Sequence, residues 1–151
     1  MADIVSSEKR SQMMAGIKGK NTKPELLIRK ALHKLGFRYR LHEKKLAGKP
    51  DIVFPKHKAA LFIHGCFWHG HNCHLFKWPS SRADFWRQKI KRNQQVDKTS
   101  FDKLVSEGWR IGVIWECSLK GKTKRSFDYI VAETARWLCS EEKHLEIRDT
   151  K

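Results

Sequence analysis

Between residues 64 and 74 the chain reads His-Gly-Cys-Phe-Trp-His-Gly-His-Asn-Cys-His, four histidines and two cysteines around a Phe-Trp pair. No other stretch limits the fold as much, because a loop this polar and this rich in thiols needs something to pin it. Cys66, His71 and Cys73 form C-x4-H-x-C, three borderline-soft donors in one tight loop, and Zn2+ takes such N/S sets in a tetrahedron. A fourth ligand must then arrive from elsewhere in the chain. Cys117, in Trp115-Glu-Cys117, follows an apolar run and would be delivered beside the loop if that run is a neighbouring strand. Cys139, in Trp137-Leu-Cys139, has the apolar helical setting of a buried thiol. A closed Cys3His set would be structural, since catalytic zinc keeps one position open for water. An inert account, with Cys66 and Cys73 in a core and His71 at the surface, also fits the spacing, and either account leaves His64, His69 and His74 without a task.

Charge narrows the partners. Lys plus Arg number 32 against 16 Asp plus Glu, a formal net charge of +16 that repels itself unless a polyanion neutralises it, so DNA or RNA is the expected partner. A membrane surface is not expected: there is no run of about 18 apolar residues and no apolar block behind the basic N-terminus. The chain therefore reads as soluble and unexported, hence cytoplasmic, and the clustered histidines favour metal-binding thiolates over two disulfides. At 151 residues we expect one domain spanning 1–151, with 1–21 as a basic arm and 141–151 as a loose polar tail.

The coarse order of elements is α-β-β-β-α-α-β-α. A basic opening, 6–21, carries Met13, Met14 and Ile17 near helical spacing. Thr22-Lys-Pro-Glu25 reads as a helix start with Thr22 as cap, and Leu27, Ala31 and Leu35 mark its apolar face up to Gly36. Strand-like segments follow at 37–42, 50–54 and 59–63, with another buried strand at 109–115. Residues 82–93 and 96–107 read as two helices, and 127–138 as an amphipathic helix covering one sheet face. The pattern predicts an α/β or α+β sandwich with a mixed sheet flanked by helices.

Asp51, in Lys49-Pro-Asp51, stands at a strand start where a carboxylate is held rigidly and still reaches solvent. Many metal-dependent nucleases carry an Asp there with a Glu-x-Lys on the next strand; here that pair is missing, and the next strand runs into His64 instead. Mg2+ needs only one or two carboxylates with waters and phosphate oxygens, and it could borrow the carbonyl that ends the strand. A histidine could then take the proton of the attacking water. Bland roles compete: Asp51 as a turn residue, Glu25 as part of a capping box, and Asp97 as a helix cap rather than a histidine's partner. Trp109, Trp115 and Trp137 fit a core. Phe67 and Trp68, in the cysteine loop of a basic chain, suit a wedge between base pairs, with Trp86 as a third member.

Taken together, "NTKPE", "GKPDIVF", "FIHGCFWHGHNC", "FWRQKIKRN" with Asp97 four residues on, and "GWRIGVIWECSL" resemble the very-short-patch-repair (Vsr) DNA mismatch endonucleases. The likeness runs from about residue 10 to residue 120. It implies a restriction-endonuclease-like (PD-(D/E)xK-related) fold and a monomer that nicks 5′ to the thymine of a T:G mismatch in double-stranded DNA, left by deamination of 5-methylcytosine. It also implies Asp51 as the Mg2+ ligand with the Ile63 carbonyl, His69 as general base, and His64, Glu25 and Asp97 as supporting groups. Cys66, His71, Cys73 and Cys117 become structural zinc ligands, Phe67, Trp68 and Trp86 intercalating side chains, and the basic N-terminus an arm along the DNA. Ile63 stands where some relatives carry a hydroxyl side chain. Contact with other mismatch-repair proteins is a further expectation of this likeness. Three rival readings share the charge and the cysteine loop: a non-catalytic zinc-stabilised DNA-binding protein, an HNH-type nuclease with its metal in the histidine cluster, and a structural zinc protein of ribosomal type.

Overall fold

The apolar run Ala59–His64 and the run Arg110–Trp115 lie side by side as parallel strands, paired from Ala59 with Arg110 to His64 with Trp115. The computed structural model describes residues 23–150. In chain order these hold α1 (Lys23–Lys34), β1 (Arg40–Leu41), β2 (Ile52–Phe54), a short 3-10 turn (Pro55–His57) and β3 (Ala59–His64). They continue with α2 (Ala83–Ser106), β4 (Arg110–Trp115), α3 (Glu116–Leu119), α4 (Phe127–Leu138) and β5 (His144–Ile147). The five strands form one mixed sheet in the order β1-β2-β3-β4-β5, antiparallel on the β1 side and parallel from β3 to β5. Parallel neighbours need a long crossover, which α2 supplies between β3 and β4.

Both faces of β3 and β4 are covered, which is why their sequences are almost continuously apolar. Ala59, Leu61 and Ile114 face Ile28 and Leu32 of α1 and Ile130, Trp137 and Leu138 of α4. Ala60, Phe62, Ile111 and Val113 face Leu104 and Phe101 of α2. Gly112 lets the fully buried Trp137 ring approach the sheet: a Cβ there would meet the indole at 3.0 Å and Leu61 at 2.9 Å. Alternation then carries Ile63 to the α1 side and His64 to the α2 side, so the end of β3 presents different chemistry on its two faces.

Several expectations are corrected. α1 buries Ile28, Leu32 and Glu25, while Leu27 and Leu35 of the expected stripe are 47% and 59% exposed. Both stripes have i, i+4 spacing, and the one that carries Glu25 docks. The expected strand at 37–42 shrinks to Arg40–Leu41, because Phe37 and Tyr39 turn into the core instead. The two expected helices at 82–93 and 96–107 are one helix; no Gly or Pro interrupts Asn93-Gln-Gln-Val-Asp97. The tail is not loose: residues 144–147 pair with β4 and bury Leu145 and Ile147. Cys139, expected buried, is exposed at the end of α4. The expected N-terminal helix and arm, and the Thr22 cap, lie outside the described residues.

Candidate active site and metal centre

Because β3 and β4 end together at His64 and Trp115, the segments that follow them leave from one edge of the sheet. That edge gathers Cys66, His71, Cys73 and Cys117, whose donor atoms all lie within 4.8 Å of one another. His71 Nδ1 is 3.6 Å from both Cys66 Sγ and Cys117 Sγ, and its ring stacks on Trp115 at 3.9 Å between centroids. Burial pushes the Cys66 and Cys117 thiols up, so a dry cluster of sulfurs cannot carry negative charge without a cation among them. Yet two backbone N–H groups donate to these sulfurs, Cys117 N to Cys66 Sγ at 3.3 Å and Asp149 N to Cys117 Sγ at 3.4 Å. Burial, followed by the charge of Arg148, keeps His71 below its ordinary pKa and therefore neutral. Neutral imidazole, converging sulfurs and N–H donors aimed at sulfur fit a borderline-soft divalent cation in a closed site. Cys139 stands apart from this cluster.

Asp51 directly precedes β2, and its Oδ2 accepts a 2.7 Å hydrogen bond from the Ile63 N–H. Glu25, 1% exposed, receives His42 Nε2 at 3.0 Å and Arg29 Nη1 at 3.2 Å on Oε2. Its side chain is thus committed to tertiary partners, whichever part it takes in the helix start. Burial raises Asp51 to about 6, and the neighbouring Glu25 charge adds to the rise, while the Ile63 N–H and His42 act against it. Two acids brought together at a strand end, one strained toward protonation, form a place where a hard cation is welcome.

Across β3, the His64 and His69 rings stack with centroids 3.8 Å apart and planes 6° from parallel. His69 Nδ1 meets Asp97 Oδ2 at 2.5 Å, which leaves Nε2 to exchange a proton. Asp97 sits well inside α2 and is not a helix cap. Burial, then the proximity of His69, pushes His64 down to about 3, so it stays neutral beside the His69 ring. α2 fastens the loop further: Asn93 Nδ2 donates to the Trp68 carbonyl at 2.8 Å and Gln94 Nε2 to the His69 carbonyl at 3.1 Å. Gly70, at φ +61°, lies against this helix where a Cβ would meet Gln94 and Ile90 at under 3 Å. Pro24, Ile63, His64, Gly65 and Lys120 line a cleft of about 350 Å³ at this end of β3, and Glu116 and Leu119 complete its wall.

The three expected wedge residues are in mutual contact, Phe67 with Trp68 at 5.4 Å, Phe67 with Trp86 at 5.3 Å and Trp68 with Trp86 at 5.9 Å. Neither Phe85 nor Trp86 is buried in the core. Sequence reasoning passed over His42, which anchors Glu25, and Glu116, whose Oε1 accepts the Cys66 N–H at 3.2 Å. It also passed over Asp149, 2% exposed, which receives the Thr123 hydroxyl at 2.8 Å and Arg148 Nε at 3.2 Å beside the cysteine cluster. The i, i+4 spacing of Asn93 and Asp97 was a usable signal for the loop clamp. His42 and Asp149 left none, since Glu25 and Thr123, the partners that tie them to the site, are remote in sequence.

Comparison with known proteins gives a consistent set of relatives. The profile of a family described as DNA mismatch endonuclease Vsr matches residues 2–75. The type II nicking enzyme V.XorIIP of Xanthomonas oryzae pv. oryzae is 48% identical over 119 residues, covering 79% of this chain and 88% of the relative. V.NmeAIP, a type II nicking enzyme of Neisseria meningitidis, is 48% identical over 122 residues, 81% of this chain and 87% of the relative. The DNA mismatch endonuclease Vsr of Escherichia coli K12 is 36% identical over 141 residues, 93% of this chain and 90% of that one.

Proposed function

The chain belongs to the DNA mismatch endonuclease Vsr family, and from that premise we propose that it nicks one strand of duplex DNA 5′ to the thymine of a T:G mismatch. Such a nick would start very short patch repair of deaminated 5-methylcytosine. The fold in this reading is restriction-endonuclease-like, with the missing Glu-x-Lys pair replaced by histidine chemistry. The observation that carries the catalytic reading is the continuity across the end of β3: Asp51 is bonded to the Ile63 N–H, and the next residue, His64, stacks on His69.

The division of labour follows from the groups themselves. Asp51 and the Ile63 carbonyl would hold Mg2+, which supplies charge neutralisation at the scissile phosphate and the leaving 3′ oxygen. His69 Nε2 accepts the proton of the attacking water, and Asp97, bonded to Nδ1, orients the ring and stabilises the imidazolium that results. His64 stays neutral and keeps water from one face of His69. Glu25 holds the carboxylate side in place, with His42 behind it. The products carry 5′-phosphate and 3′-hydroxyl ends. Zn2+ on Cys66, His71, Cys73 and Cys117 would hold the loop, so that His69 and the wedge of Phe67, Trp68 and Trp86 are presented together. The protein would act as a monomer in the cytoplasm, on the nucleoid, with room for contact with other mismatch-repair proteins. No helix of the described residues is long and apolar enough to cross a membrane.

A second reading has one observation in its favour. His64, His69 and Asp97 are close enough to hold an ion themselves, as in an HNH-type nuclease. Against it, the two rings lie in nearly parallel planes, so their in-plane lone pairs do not converge on one point. The deciding experiment incubates strand-labelled duplexes, T:G against C:G at one pair, with Mg2+ or with EDTA, using the wild type and Asp51→Asn. Nicking of the T strand that needs Mg2+ and is lost in Asp51→Asn is the expected result. Full activity of Asp51→Asn would transfer the chemistry to the histidines, and no nicking by the wild type would leave a binding protein.

A further inference from the structure

The aromatic surface does not end at the three residues assigned to the wedge. Phe76 lies 6.0 Å from Phe67 and 4.9 Å, edge-on, from Trp78. Trp78 is 49% exposed, more than Trp68 at 43%. The guanidinium of Arg87, the residue that follows Trp86 on α2, sits 5.4 Å from the centre of the Trp78 ring. Lys77 and Arg82 are exposed nearby in sequence, and Arg82 covers Phe85 at 4.3 Å in the same manner. The segment is fastened to the metal loop, since Phe76 N donates to the Cys73 carbonyl at 3.2 Å. The indole leaves half of its surface in solvent although it touches Phe76 and Arg87, and contiguous apolar surface with a charged rim marks an interaction site. The rim is cationic, so the partner is an anion with flat apolar faces, which describes DNA.

We propose that Trp78 and Arg87 form a second DNA-contacting platform beside the wedge, with the indole packed on a sugar or base face of the flanking duplex and Arg87 on a phosphate. The proposal rests on the reading of Phe67, Trp68 and Trp86 as the wedge. It also sets a length. From Trp68 to Trp78 the rings run in three steps of 5.4, 6.0 and 4.9 Å, so the platform reaches no more than about five base-pair rises from the inserted residue. A contact of that reach belongs to one flank only. It would make the enzyme sensitive to the sequence and length of that flank without touching the mismatch.

The test uses the full chain and fluorescein-labelled T:G duplexes in Ca2+, with one flank and then the other shortened base pair by base pair. On a long duplex, Trp78→Ala should weaken binding about tenfold, and Trp78→Phe should recover most of it. The defect should vanish once one flank, and not the other, is cut below about three base pairs. Arg87→Ala should weaken binding on long duplexes and lower the salt dependence by about one counterion. Wild-type affinity of Trp78→Ala overturns the proposal, as does a loss that is the same at every flank length, which would mean that the indole merely props Phe76. If Trp78→Ala does not fold, an unchanged salt slope in Arg87→Ala overturns it instead. Trp68→Ala separates the two readings: if it binds normally while Trp78→Ala shows the flank-dependent loss, the wedge falls and the platform stands. If Trp68→Ala is weakened and Trp78→Ala is not, only the platform falls.

Discussion

The cysteine cluster and the Asp51–Glu25 pair occupy the same edge of the sheet, yet they are built in opposite ways. Around the cysteines, Cys66 and Cys117 are fully buried, their sulfurs receive backbone N–H donors, and residues 148–150 are laced over them by Arg148 to the Asn72 carbonyl and Thr150 N to the Thr123 carbonyl. Around Asp51 the carboxylate is half-buried, opposed by a second acid, and held above its ordinary pKa. The first arrangement is the kind that would close around a soft cation and serve folding. The second gives a buried carboxylate fewer donors than its burial demands and sets another acid beside it, an arrangement that would suit a hard cation that comes and goes with substrate. A ligand set's surroundings, as much as its donors, decide whether a metal is architecture or reagent.

The sharpest way to break that contrast is to remove one ligand from each side. On the proposed zinc assignment, Cys117→Ala should abolish zinc binding and lower the melting temperature by roughly 10 °C or more, since structural zinc contributes directly to folding. Cys139→Ala, exposed and apart from the cluster, should leave both unchanged. Calorimetry with metal analysis checks the pair, and an unaltered melting curve for Cys117→Ala would remove the architectural reading. Next in size is the chemistry that the closed side positions: His69→Ala should slow single-turnover nicking by about 10²–10⁴-fold while duplex affinity stays near wild type.

The open side gives an effect of the other sign. Asp51 has its pKa raised to about 6 in the folded chain, so the folded state holds that proton more tightly than the unfolded one. The stability this provides is complete below about pH 4 and is lost as pH rises through 6. At pH 8 the metal-free protein bears a cost of about 1–2 kcal/mol, after discounting for partial exposure. Asp51→Asn, which keeps an acceptor for the Ile63 N–H, should therefore raise the metal-free melting temperature by about 2–6 °C at pH 8 and leave it unchanged at pH 4. Mg2+ should stabilise the wild type and not the variant. A destabilised Asp51→Asn at pH 8 would show that the carboxylate is satisfied without a metal, and the contrast between the two sides would blur.

What the sequence discloses follows the same division between local and remote. β3, β4 and α4 were legible because each carries its own unbroken apolar pattern, and Cys66, His71 and Cys73 because their spacing lies in one loop. β5 was not, since its two apolar residues, Leu145 and Ile147, gain their order from β4 rather than from their own segment. Glu25 shows the same thing within the site: its local pattern spelled a capping box, while besides Arg29 one turn on it is held by His42, seventeen residues away. Asp97 could be a cap or a partner until α2 proved continuous and brought it to His69.

The smallest effect tests whether the closed side owes anything to the chain beyond its four ligands. Asp149 is ionised at lower pH than usual: burial works against its charge, but hydrogen bonds from Thr123 and Arg148 outweigh that, and His74 adds to them. Those bonds hold the backbone whose N–H reaches Cys117 Sγ. Asp149→Ala removes the partners of Thr123 and Arg148 while sparing every ligand, so it should leave the zinc content at one per chain but speed release to a chelator by about tenfold. Asp149→Asn, able to keep the Thr123 bond, should fall between. Nicking measured with excess zinc should change less than twofold, because the loop remains formed. Release at the wild-type rate would mean that residues 148–150 lie over the cluster without holding it, and closure would then be a property of the four side chains alone.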